Sequence, residues 1–220
     1  MKRLTLLAAA LAVGLGACGA DNRTSIEILG RAAPSSESTC TFAAGGQYVL
    51  GNATYDVSLG GQYNIVLYVQ NNLVDASTLN AADPKDANGW SVQAARVRVN
   101  PSNYTGQYGP SPALTSITGD SVLPVAASPI VEPAGGQGTI WLGLLSDDIM
   151  TALQSVDAGG QIVLGVTLQG VTNGGTRLDA GEFMYPIEVC VGCMSGTPIC
   201  TTGTAQRNMC DGQADEIICQ

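Results

Sequence analysis

The sequence predicts an all-β protein: an antiparallel β-sandwich, immunoglobulin-like or jelly-roll, with one short helix and a disulfide-rich C-terminal tail. Three observations carry this expectation. From Thr39 onward apolar and polar residues alternate in short runs, the period-two pattern of strands that bury one face. The runs are broken by Gly, Asn, Asp and Pro, and the pairs Gly45-Gly46, Gly60-Gly61, Gly135-Gly136, Gly159-Gly160 and Gly174-Gly175 suit tight connections between strands. Five cysteines crowd the last 31 residues, which are too poor in large apolar side chains to build a core of their own. Strands at this spacing with little helix favour a sandwich. The Cys…Trp…Cys spacing of immunoglobulin domains is absent, so the choice of topology stays open.

The elements follow in order. Strands are expected over 47–50, 55–59, 63–70, 92–99, 122–130, 138–145, 161–169 and 182–190. The segment 63–70, Tyr-Asn-Ile-Val-Leu-Tyr-Val-Gln, is too apolar for a sheet edge. In 95–99 the arginines Arg96 and Arg98 fall on one face and Ala95, Val97 and Val99 on the other, as a half-solvated strand requires. The one helix is expected over 146–154, where Ser146 can cap and Asp147 and Asp148 complement the positive end of the helix dipole. About 180 residues after position 39 are enough for a single apolar core.

At the N-terminus, Lys2 and Arg3 precede the uncharged apolar run 4–17, which ends in small residues before Cys18. That is the anatomy of a signal peptide, and the run is shorter than the roughly 20 apolar residues a membrane-spanning helix needs. The tetrad Leu15-Gly16-Ala17-Cys18 resembles the lipobox of bacterial lipoproteins. The resemblance implies cleavage after Ala17, a diacylglycerol on the Cys18 thiol and a fatty acyl chain on the new amine. Several chains give firm anchoring, because each buried methylene contributes about 0.8 kcal/mol. Gly19, where inner-membrane lipoproteins carry Asp, points to the outer membrane. The expected organisation is therefore a signal peptide over 1–17, a lipidated flexible tether over 18–39, the sandwich over 40–190 and the tail over 191–220. The tether is small, polar and proline-interrupted, with Ile26, Ile28 and Leu29 available to dock on the domain.

Of nine basic side chains, cleavage removes Lys2 and Arg3, leaving seven against eighteen acidic ones, a net charge of −11 with Lys85 the last lysine. That balance argues against nucleic acid and against electrostatic docking on anionic lipid. With no histidine in the chain, Ser-His and Cys-His nucleophilic pairs and most catalytic zinc sites are excluded. Carboxylate chemistry is the enzymatic route left, and capping explains Asp147 and Asp148 more simply. Weak calcium candidates are Asp83, Asp86 and Asn88, in a loop without EF-hand spacing whose composition also suits an ordinary turn. The candidates for sugar stacking are Trp90, Tyr104 and Tyr108, which can equally fold back on the core. No cofactor is implied.

Apart from Cys18, the cysteines are an even six: Cys40, Cys190, Cys193, Cys200, Cys210 and Cys219. In an exported chain they read as disulfides. If all six pair, Cys40 is the partner outside the C-terminal cluster, and the sequence does not choose among the pairings. Cys190-Val-Gly-Cys193 also has the spacing of redox motifs and zinc knuckles. It follows a strand and leads into Met-Ser-Gly-Thr-Pro, whereas redox chemistry wants a helix N-terminus, and export oxidises thiols before metal arrives.

Lipobox, Thr39-Cys40, the strand Tyr-x-Ile-x-Leu-x-Val-x-Asn from Tyr63 to Asn71, Tyr-Pro-Ile-Glu-Val-Cys-x-Gly-Cys from Tyr185 to Cys193 and Cys-x-Gly-Gln from Cys210 to Gln213 together resemble the Cys-rich outer-membrane lipoproteins common in myxobacteria. The resemblance brings no activity, ligand or catalytic residue. The expected function is a non-catalytic structural or binding module of the envelope, anchored in the membrane and docking proteins or glycans. The alternative is a carboxylate-dependent envelope hydrolase. Two carboxylates of raised pKa in a pocket would favour the enzyme, and a flat apolar or aromatic patch would favour binding.

Overall fold

The computed structural model describes residues 25–32, 42, 45–50, 53–58, 60, 62–75, 87–100, 117, 120–125, 129–154, 160–193, 205–207 and 217–219. Strands β1 Ile26–Ala32, β2 Tyr48–Val49, β3 Ala53–Asp56, β4 Asn64–Asn71, β5 Trp90–Asn100, β6 Asp120–Pro124 and β7 Gly136–Gly143 precede helix α1, Asp147–Leu153. Strands β8 Gly160–Thr172, β9 Arg177–Asp179, β10 Phe183–Cys190, β11 Ala205–Arg207 and β12 Ile217–Cys219 follow it.

Two sheets pack face to face. The first has the order β2-β1-β4-β7 and is antiparallel throughout. The second has the order β3-β10-β8-β5-β6, with β9 also paired to β8. Its pairs are antiparallel except β3–β10, which is parallel, so the second sheet is mixed rather than purely antiparallel. In the tail, β11 and β12 form a two-stranded ladder.

Alternation builds the core. Ile65, Leu67 and Val69 of β4 and Ile140 and Leu142 of β7 meet Val97 and Val99 of β5, Ile162, Leu164, Val166 and Leu168 of β8, and Ile187 and Val189 of β10 in one buried cluster. The apolar segment 63–70 does lie inside its sheet, between β1 and β7. Tyr63 and Tyr185 touch through their hydroxyls at 3.0 Å, and the Tyr55 ring meets Tyr63 edge-on. At the opposite end of the core Trp90 is fully buried and rests on Gly170, where a Cβ would collide with the indole. The helix forms as its cap predicts: the Ser146 hydroxyl accepts from the Ile149 amide, and Ile149, Ala152 and Leu153 face the core.

One expected boundary is corrected. The middle of the tether expected over 18–39 is strand β1, whose Ile26 and Ile28 are buried against Val69 and Asn71 of β4. A register shift between Ile28 and Gly30 makes Leu29 a bulge, and the bulge breaks the period-two signal that would have marked the strand. The strand expected over 122–130 is shorter, ending at Pro124, which has no N–H to continue a ladder.

The end of the sandwich where β1 begins is tied by a buried amide. Asn71 donates through Nδ2 to the Asn88 and Val131 carbonyls at 2.8 and 2.9 Å, and its Oδ1 accepts from the Leu73 amide at 3.0 Å. All three chemical functions of a fully buried carboxamide are used, which is what allows it in the core.

Candidate functional site

The outer face of the first sheet is not a solvated face. Directly opposed strand residues point the same way, so Val66 and Tyr68 of β4 face outward, away from the shared core. Both are nevertheless buried, with Ala32 of β1, in a second apolar cluster that Leu29 and Phe42 pack against. Leu29 reaches this layer through the β1 bulge. Trp141 stands opposite Val66 and Tyr48 opposite Ala32. Phe42 meets Trp141 edge-on, with ring centroids 5.0 Å apart and planes at 90°, the favourable quadrupolar arrangement. At the flanks the layer opens: Trp141 is 40% and Tyr48 48% exposed. Tyr48 and Trp141 lie on β2 and β7, the two edges of a four-stranded sheet, so three inter-strand spacings, about 14 Å, separate them.

Around these rings the described strand residues of the face are polar and, apart from one, uncharged. β4 contributes Asn64 and Gln70, and β7 contributes Gln137 and Thr139. Gln137 donates to the Gln70 carboxamide oxygen at 3.3 Å, and Gln70 donates in turn to Asn72 at 2.7 Å. The Gln62 carboxamide lies over Gly143, two residues beyond Trp141, in space that any Cβ at 143 would occupy. Among the described strand residues of this face, the charged one is Glu27, opposite Gln70.

The outer face of the second sheet carries charge. Arg96 and Arg98 of β5, Asp120 of β6, Gly165 and Thr167 of β8 and Glu182 line an open cleft of about 240 Å³. Arg96 Nε lies 3.4 Å from Asp120 Oδ2, and Arg98 Nη2 lies 2.6 Å from Glu182 Oε1. The side chains are one-third to one-half exposed. Each carboxylate is matched by an arginine, which makes a solvated charge ladder rather than an acid–base pair shielded from water.

At one corner of the same sheet, parallel pairing sets Asp56 beside Cys190. The Val57 amide donates to the Cys190 carbonyl at 2.9 Å. Cys190 is bonded to Cys193, closing a small loop over the carboxylate. Asp56 is fully buried, and its Oδ1 accepts from the Ser58 amide, the Ser58 hydroxyl and the Gly192 amide at 2.9, 2.7 and 2.8 Å. The ligand atoms of Asp56, Cys190 and Cys193 lie within 4.8 Å of one another. With the sulfurs joined to each other they present no thiolate, and the corner acts as a latch fastening β3 to β10.

The residues singled out in the sequence separate as follows. Trp90 is corrected from a stacking candidate to a core residue, fully buried with its indole N–H donated to the Leu178 carbonyl at 3.2 Å. Asn88 spends its amide on the Val74 carbonyl at 2.6 Å, bracing a loop. Asp147 and Asp148 are exposed in the first turn of α1. Cys18, Cys40, Cys200, Cys210, Asp83, Asp86, Tyr104 and Tyr108 lie outside the described residues, and of Cys219 only its place in β12 is described. The sequence reading missed Trp141, Tyr48 and Phe42. A signal existed for Trp141: in Gly-Thr-Ile-Trp-Leu-Gly, burying Ile140 and Leu142 forces the indole outward. The chain matches no protein-family model, no curated protein and no solved structure.

Proposed function

We propose that this chain is a lipoprotein of the bacterial cell envelope, held to the outer membrane by acyl chains on Cys18, whose sandwich is a non-catalytic binding module. The observation that carries the binding role is the aromatic outer face of the first sheet. Exposed aromatic side chains over a packed, water-excluding layer are the usual chemistry of a docking surface, and here they stand on regular strands that hold them rigidly. Matched arginines beside Asp120 and Glu182 favour this reading over carboxylate hydrolysis.

The anchor also limits how far the domain can stand from the membrane. Six residues, 19–24, separate Cys18 from Ser25, and Ser25 already accepts a hydrogen bond from Asn72 at the mouth of β1. An extended chain covers at most about 3.5 Å per residue, so the β1 end stays within about 25 Å of the lipid. The Cys190–Cys193 corner is at the other end of the second sheet, beside Gly160, whereas Thr172 reaches the Trp90 end. The latch therefore lies at the end of the sandwich away from the tether.

Replacing Cys18 by Ser should abolish acyl labelling and release the protein from membranes; unchanged retention would overturn the anchor. Co-purification of the intact lipoprotein with envelope components should be lost in Trp141→Ala and kept in Arg98→Ala. Equal capture by both variants would overturn the docking face.

A further inference from the structure

We infer that the ligand of the aromatic face is an uncharged glycan chain laid across the strands of the first sheet, with Trp141 and Tyr48 as its stacking platforms. This deepens the binding role proposed above and rests on it. Four features of the face select the ligand. A sugar ring presents C–H groups on its flat faces and hydroxyls around its rim, so it needs an aromatic plane with neutral donors and acceptors beside it. Trp141 is such a plane, half-exposed and fixed by the edge-on contact with Phe42. Polar groups on the same face are Asn64 and the Gln62 carboxamide, at the register position two residues along β7 in one direction, and in the other Thr139 two positions away and the Gln137–Gln70 pair four positions away. Each carboxamide offers both donor and acceptor, matching hydroxyls that are both.

The second feature is placement. The Gln62 carboxamide occupies the space over Gly143 that any Cβ there would fill, which sets a neutral donor and acceptor two positions along β7 from Trp141. The third is span. Tyr48 is about 14 Å from Trp141 by strand spacing, farther than one sugar ring extends, so a chain of several sugars is needed to use both. The fourth is charge. The described strand residues of the face include no cation, Glu27 stands at its margin, and the mature chain carries −11. An acidic polysaccharide meets repulsion there. A protein partner is disfavoured as well, because protein docking surfaces add arginine hot spots and complementary charge to their aromatics, and Arg31 of β1, the arginine among the described strand residues of this sheet, stands opposite core-facing Leu67 rather than on the aromatic face. Pre-set ring and amide positions lower the ordering cost of binding.

The chain contains two tryptophans, one buried and one exposed, which gives a direct readout. Iodide quenching of the full acylated protein in neutral detergent reports Trp141, because Trp90 is sealed in the core. Linear glucan oligosaccharides, linear N-acetylglucosamine oligosaccharides and dextran are the neutral probes, and polygalacturonate is the charged control. At least one neutral probe should protect Trp141 from iodide while polygalacturonate does not. Binding should weaken about tenfold in a Tyr48→Ala variant, as loss of one stacking contact predicts, and about threefold in Gln62→Ala, as loss of one neutral hydrogen bond predicts. Arg98→Ala should leave it unchanged. For Trp141→Ala, binding is followed by retention on the immobilised glycan, with an unchanged melting temperature as the control for folding. If no neutral probe protects Trp141, or if polygalacturonate protects it as well, the inference is overturned. If a protein partner is captured in a Trp141-dependent way and no glycan binds, the docking face stands and the glycan falls. If neither capture depends on Trp141, both fall.

Discussion

The two sheets share one core and turn opposite chemistry outward. Behind β4 the outward residues Val66 and Tyr68 are as dry as the core and are capped by aromatics. Behind β5 the outward residues Arg96 and Arg98 stand in water beside carboxylates. Both strands obey the same alternation on the inner face. The difference shows that period-two patterning specifies which way a side chain points, whereas the identity of the outward residue decides whether that face is sealed or wet.

The largest effect should come from a carboxylate on each outer face. Val66→Asp buries an unpaired charge and should cost about 4 kcal/mol, seen as a lower denaturant midpoint, whereas Thr167→Asp, beside Arg96 on the other face, should stay within about 0.5 kcal/mol. Equal tolerance would mean that the first face is not sealed. Next is the latch, a corner where the second sheet buries the outward residues Asp56 and Cys190. Asp56→Ala leaves the Ser58 and Gly192 amides without their acceptor and should cost about 3 kcal/mol, with β3 amides exchanging with solvent faster than those of β8. Smaller still is Arg98→Ala, expected to cost under about 1 kcal/mol and to lose even that in high salt.

A pH effect belongs to the core between the faces. Burial raises the Tyr55 phenol above its ordinary 10.0. Below pH 10 the phenol is neutral in both folded and unfolded chains and contributes no pH dependence. Above it the unfolded chain ionises first, so stability falls as pH rises from 10 toward the folded value. Tyr55→Phe should flatten that alkaline decline, and an unchanged slope would place the effect elsewhere.

Much of the sandwich is legible because its strands are long enough to repeat the alternation. β4, β5, β7, β8, β10 and the Ser146 cap are marked by residues within a few positions of one another. What is not legible depends on contacts between distant segments. β1 hides behind a bulge at Leu29 and a small, polar sequel interrupted by Pro34. Trp90 sits beside an Asp-rich loop and looks like a surface residue until Gly170 provides its seat. Asp56 falls in an expected strand with no sign that it will be buried, because nothing nearby announces that the Gly192 amide will come to it from 136 positions away. The candidate site was half visible: the turn of Trp141 outward follows from its neighbours, but its companions Tyr48 and Phe42 come from another part of the chain.

The parallel pairing of β3 with β10 has a kinetic consequence. The first sheet draws on strands that end at Gly143, whereas the edge of the second sheet joins an early segment to one of the last strands before the tail. Closing a loop of more than 130 residues carries a large loop-closure entropy. During synthesis β3 has to wait without its partner until β10 has been made. Premature pairing of its free edge with another copy is the hazard that this wait creates.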